Sequence, residues 1–157
     1  MRTADARHAE NARAGRSSEC RLATVASIHK EIRLAARAED VWDAVRDVGN
    51  IHKRLCPGFL TDCRMEGPDA RIVTFGNGMV VKELIVDIDD KTRRVAWSAV
   101  GGRLSHHNAS MQIFAEGESC RAVWIADLLP NELAGAIAGM IDQGLAAMKK
   151  TLERKVA

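Results

Sequence analysis

Two side chains stand where acid–base chemistry could be done. Glu83 shares an alternating row with Met79, Val81 and Ile85, which sets a carboxyl among three apolar side chains on one strand face. A carboxyl on an apolar wall is costly to ionise, and that suits it to general acid–base work. The other reading turns this row outward and pairs Glu83 with a surface lysine or arginine. His107 shares its row with Ala109, Met111 and Ile113, whereas His106 goes with Asn108, Ser110 and Gln112. Neighbouring strand residues point to opposite faces, so the two histidines cannot clamp one metal. The apolar row is the inward one, and His107 on it is either a hydrogen-bonded core residue or a base. Without an HxxxH, a CxxC or a carboxylate cluster in the sequence, neither a metal nor a cofactor is expected.

Around this pair the sequence suggests apolar walls. Trp97 runs in a row with Val95 and Ala99, and Trp124 in a row with Ala122, Ala126 and Leu128. Val81, Ile85, Trp97, Ala99, Met111 and Trp124 are the expected ligand contacts beside Glu83 and His107, with Ile141 and Leu145 facing them from a helix. Ordinary core packing is the alternative for both tryptophans. Trp42 reads as core, Lys30 as a strand-end lysine reaching outward, and Arg121 and Asp127 as surface residues. Glu83 is expected on the fourth strand and His107 on the sixth, with Trp97 on the strand between them.

The elements that must position these residues are legible in the periodicity. Residues 131–156 open at Asn131, a fitting N-cap, and carry Leu133, Ile137, Ile141, Leu145, Met148 and Leu152 at helical spacing. Gly144 falls beside that stripe, while Gly135 and Gly139 fall nearly opposite. Before it, residues 22–36 alternate like a strand. Glu39 and Asp40 open a short helix faced by Val41, Trp42, Val45 and Val48, with Gly49 as its closing residue. A second helical turn fits residues 50–56, ahead of Pro57-Gly58. Six strands follow, over 59–66, 71–75, 79–88, 94–100, 105–114 and 120–128. In the first of these, Phe59, Thr61, Cys63 and Met65 alternate with Leu60, Asp62, Arg64 and Glu66. The separators are short, which implies antiparallel neighbours.

Composition narrows the class. The chain has 157 residues, enough for one domain with a real core. A formal charge of +2 is too small for a dedicated nucleic-acid binder. No apolar run is long enough to span a membrane. The four cysteines, Cys20, Cys56, Cys63 and Cys120, show no disulfide spacing, and reduced thiols in a cytoplasmic protein are expected. Residues 1–21, arginine-rich and lacking an apolar block, read as a tail outside a single domain of residues 22–155.

The stretches AARAEDVWDAVRDVGNIHKRLCPGF, VVKELIVDIDDKTRRVAWS and HNASMQIFAEG, together with the closing helix, resemble the START-like or helix-grip (SRPBCC) superfamily, in its polyketide cyclase/dehydrase-type branch. The resemblance covers about residues 22–155. It implies an α+β fold in which a curved seven-stranded antiparallel sheet wraps a long C-terminal helix, with two short helices between strands 1 and 2. It also implies a cavity between sheet and helix for a small hydrophobic molecule. Locally the chain is similar to lachrymatory-factor synthases and abscisic-acid receptors, in which the glutamate matching Glu83 faces that cavity. It departs from both. The synthases' third-strand arginine aligns with Thr74, and Arg71, three residues away, lies on the other strand face. The receptors' long gate loop is here the minimal turn Gly76-Asn77-Gly78, and Gly101-Gly102-Arg103-Leu104 is shorter than their latch.

Three functions follow from this reading. The chain is a carrier or sensor of a small hydrophobic molecule, or a metal-free cyclase, dehydratase or isomerase using Glu83 and His107, or an interaction module with a vestigial cavity. The first is favoured, because no positive partner or oxyanion donor stands beside the acid–base pair. Oligomeric state, monomer or homodimer, is left open.

Overall fold

Short turns between successive strands force each to pair with the next, and the chain closes into one sheet. The computed structural model describes residues 26–153; the 1–21 tail and the first and last residues of the expected first strand and last helix lie outside them. The strands are β1 (Ala26–Leu34), β2 (Leu60–Met65), β3 (Ala70–Phe75), β4 (Val80–Asp89), β5 (Arg94–Val100), β6 (His106–Glu116) and β7 (Ser119–Leu129). They lie in the order β1-β7-β6-β5-β4-β3-β2, and every pair is antiparallel. Two short helices, α1 (Ala38–Arg46) and α2 (Ile51–Arg54), separate β1 from β2, and a 3-10 turn (Asn131–Leu133) leads into α3 (Ala134–Glu153). This is the helix-grip arrangement.

Register shifts break the simple alternation at two places, between Leu60 and Asp62 in β2 and between Ile85 and Asp87 in β4. A bulge bends its strand and changes which residues face inward. Leu60 and Cys63 are therefore both buried, although they sit in opposite rows of the expected pattern, and Met65 is exposed. The α1 helix also ends earlier than expected. Asp47 is its C-cap, and Gly49 is not left-handed but lies against the Met65 side chain.

The core is aliphatic. Leu34, Val41, Val45, Val73, Ile113, Cys120, Leu128 and Met148 are almost completely shielded. Trp42 joins them and donates its indole N–H to Asp90 Oδ1 at 2.9 Å. Along α3, Ile141, Gly144, Leu145, Met148 and Leu152 are buried, Ile137 is half-buried, and Gly135 and Gly139 face outward. At Gly144 the helix backbone comes so close to the sheet side that a Cβ would meet Trp124 Cζ3 at 3.0 Å and Phe59 Cε1 at 3.1 Å. Gly76 is equally constrained, since a Cβ there would lie 2.7 Å from the Gly58 carbonyl oxygen.

Polar ties fasten α3 along β1, with both running in the same direction. Pro130, not Asn131, stands at the N-cap of the 3-10 turn, and the Asn131 Oδ1 accepts from the Ala26 N–H at 3.0 Å. Lys30 reaches outward, as expected, and pairs there with the exposed Asp142 at 3.1 Å. Lys149 donates to the Arg33 carbonyl at 2.8 Å, and the Ala35 N–H donates to Glu153 at 2.9 Å.

Candidate functional site

Between the concave face of the sheet and α3 lies a cavity of about 500 Å³. Of the residues singled out from the sequence, Val81, Glu83, Trp97, Ala99, His107, Met111, Trp124 and Ile141 line it. Ile85 and Leu145 do not. Ile85 stands opposite Trp97 where the β4 bulge begins and packs half-buried against the core, and Leu145 is within the closed core. Further wall comes from Phe59, Val73, Phe75 and Val95, from Leu133, Ala136, Ile137, Met140 and Met148 on the helix side, and from residues 101–104 in the β5–β6 loop.

The polar groups are concentrated along one line across the sheet. The β3–β4 hairpin turns about Asn77, so Arg71 pairs directly with Glu83, and Glu83 in turn pairs with Ala99 on β5. Arg71 Nε donates to Glu83 Oε2 at 2.7 Å, and both residues are buried. Arg71 also donates from Nη1 to the Val48 carbonyl at 3.1 Å, and its guanidinium carbon lies 5.7 Å from the centre of the Trp97 ring. Charge-assisted bonds of this length are strong, and burial shields them from solvent.

This corrects two expectations. Arg71 does lie on the face opposite Thr74, but that face is the interior one. Glu83 also has the positive partner that appeared to be missing. The signal was available in the sequence: a hairpin centred on Asn77 places residues whose numbers are equally distant from 77 side by side on the same face.

His107 continues the line on β6. The regular β5–β6 pairing runs from Arg94↔Gln112 to Trp97↔Ala109, and beyond it side chains replace the backbone ladder. Ser98 Oγ donates to the His107 carbonyl at 2.6 Å, and the Ala99 N–H donates to His107 Nδ1 at 3.0 Å. Trp97 is on the strand between them, as expected, and Ala99 is the residue of that strand standing directly between Glu83 and His107. Burial holds the imidazole below its ordinary pKa of 6.5, with the Glu83 charge pulling the other way and His106 adding slightly to the depression.

The remaining cavity chemistry is quiet. Trp97 and Trp124 meet edge to face with centroids 5.5 Å apart. The Trp124 indole N–H is buried with no acceptor among the described residues. Cys56 also lines the cavity, but burial pushes its thiol up to about 12, so it is no nucleophile at neutral pH. Cys56, Cys63 and Cys120 are free thiols. No described helix is long and apolar enough to cross a membrane.

Comparison with solved structures places the fold among known ones. An uncharacterized protein from Bacillus thuringiensis is similar at a TM-score of 0.74 and 17% identity, with 81% of this chain and 98% of that one covered. A truncated norcoclaurine synthase from Thalictrum flavum is similar at 0.65 and 21%, covering 85% and 94%. A START superfamily protein from Mycobacterium smegmatis is similar at 0.63 and 14%, covering 83% and 96%. At these identities the likeness is one of fold alone. No curated protein matches the chain. The sequence model of one family, described as polyketide cyclase / dehydrase and lipid transport, matches residues 25–153. With the whole described chain matched, and the sheet, short helices and closing helix arranged as described above, the protein belongs to the polyketide cyclase / dehydrase and lipid transport family.

Proposed function

We propose that this protein binds a small, mainly apolar molecule in the cavity between sheet and α3, as a cytoplasmic carrier or sensor. One observation carries the reading: a cavity of about 500 Å³ walled by aliphatic and aromatic side chains, with its buried charges confined to the Arg71–Glu83 pair. Ligand sites have this character, a mostly apolar pocket of roughly 300–1,000 Å³ with a few polar groups that orient the occupant. The open volume weighs against a vestigial, filled cavity. Native mass spectrometry of protein purified from its host is the test. A small-molecule adduct released on collisional activation is expected; a bare protein that also fails to take up a neutral apolar dye would end the proposal.

A second reading has one observation in its favour. Arg71 beside Glu83 supplies a positive group that could steady charge developing on a carbonyl substrate, and His107 lies in the same line. Given a turnover assay, a cyclase, dehydratase or isomerase requires Glu83→Gln to lose roughly 100-fold or more in rate while still binding ligand. Unchanged turnover in that variant leaves Glu83 as a structural and orienting group.

A further inference from the structure

We infer that His107 selects the occupant of the cavity, presenting a permanent N–H donor that favours a neutral molecule with a carbonyl-type oxygen and disfavours a carboxylate. The inference rests on the ligand-binding reading above and specifies its chemistry.

A backbone N–H can only donate, so the bond from Ala99 to His107 Nδ1 at 3.0 Å requires a lone pair on that nitrogen. The ring proton of the neutral imidazole must then sit on Nε2. A second proton would have to go on Nδ1, against the Ala99 N–H, and burial also opposes it. His107 is thus held in one tautomer as a donor, by a bond that stands where a ladder hydrogen bond would otherwise be. His107 lines the cavity.

The charges of the wall point the same way. Arg71, the buried cation, is engaged through Nε by Glu83 and through Nη1 by the Val48 carbonyl. The pair is formally neutral, so an entering carboxylate would find a carboxylate beside the one buried cation among the described residues and give up its hydration without a free counter-charge. Arg103 also borders the cavity but is exposed in the β5–β6 loop, where water screens it. A ketone or ester oxygen costs far less to desolvate and accepts from an N–H directly.

The test uses the full chain, with Nile red as a neutral reporter and 2-undecanone, undecanoate and undecane as competitors at pH 7.5. Nile red is expected to bind, and the ketone to displace it at a concentration about 10-fold or more below that of the carboxylate. His107→Phe keeps a ring and removes the donor; it should erase the ketone's advantage over undecane, about 5- to 10-fold, while undecane competes as before. Undecanoate competing as well as the ketone overturns the selection. A ketone preference that survives in His107→Phe overturns the assignment to His107. If neither Nile red nor any competitor binds, the cavity reading itself fails, which is a different result from the first two. The wild-type comparison of ketone with carboxylate needs no variant, so it stands even if His107→Phe does not fold.

Discussion

The two halves of the sheet are built differently although one chain threads both. On one side β1, β7 and β6 are zipped without interruption: nine consecutive residue pairs join β1 to β7 and eleven join β6 to β7. There α3 lies on β1 and is tied to it, and Leu34, Ile113 and Leu128 fill the space beneath. On the other side β2 to β5 pair over shorter ladders, with bulges in β2 and β4, and the wall they form, completed by His107 and Met111 of β6 and Trp124 of β7, faces open volume. One half is packed to hold the fold, while the other is bent to enclose a space. Close packing and a ligand cavity compete for the same side chains, and in this fold the balance shifts from one to the other across the sheet, with β6 and β7 serving both.

The sharpest way to break this division is to attack the one strong polar contact in the container half. Arg71→Met leaves Glu83 buried without its partner, and removal of one member of such a pair costs about 3–5 kcal/mol in chemical denaturation. The double variant Arg71→Met/Glu83→Leu should recover most of that loss, since an apolar pair of similar volume suits the wall. A double variant as unstable as the single one would show that the ion pair organises the cavity beyond its own charge balance.

Truncation on either side tests the contrast directly. Leu128→Ala in the packed half should cost about 2–5 kcal/mol, because a fully enclosed side chain leaves a void. Val81→Ala, half-buried on the cavity wall, should cost about 1 kcal/mol or less and enlarge a space that already exists. Equal costs would erase the distinction.

Two glycines on α3 sharpen it further. Gly139→Ala meets nothing within 4 Å and should stabilise by up to about 1 kcal/mol through helix propensity. Gly144→Ala gains the same propensity but drives a methyl into the Trp124 and Phe59 rings; overpacking of about 1–3 kcal/mol should make the net change unfavourable. Thermal unfolding of the two variants reads the opposite signs.

The smallest expected effect is on pH dependence. Burial lowers the His107 pKa in the folded chain, so below the ordinary value of 6.5 the unfolded chain binds a proton that the folded one resists. More protons bound in the unfolded state mean stability that falls as pH falls. The loss should begin as pH drops through about 6.5, continue to the lowered folded value and then level off. His107→Phe should flatten that part of the stability profile.

The rows that carry Glu83, His107, Trp97 and Trp124 could be read from sequence because strand alternation survives wherever the ladder is regular. The same holds for the order of elements, since each turn is short and each helix shows its own period. What escaped the reading was non-local or irregular. The β2 bulge hid the joint burial of Leu60 and Cys63, and alternation alone does not show that the cavity ends before Ile85, which packs on the core. Arg71 was misjudged through its spacing from Thr74, when its distance from the turn at Asn77 was the informative quantity. The Lys30–Asp142 pair joins residues 112 positions apart, and no local pattern announces such a contact.

The parallel fastening of α3 on β1 couples two lengths that grow at different rates. The contacts join residues 26, 30, 33 and 35 of the strand side to 131, 142, 149 and 153 of the helix side. From Lys30 to Arg33 the strand advances about 10 Å, at about 3.3 Å per residue. From Asp142 to Lys149 the helix advances about 10.5 Å, at 1.5 Å per residue, and turns almost two full times, bringing the second contact back to the same side. Strand and helix are thus commensurate at three residues to seven. A single-residue deletion in α3 would swing every later contact by about 100° off the strand. Length change here is quantised: a shortened or extended relative that keeps this seam must gain or lose about seven helical residues for every three in the strand.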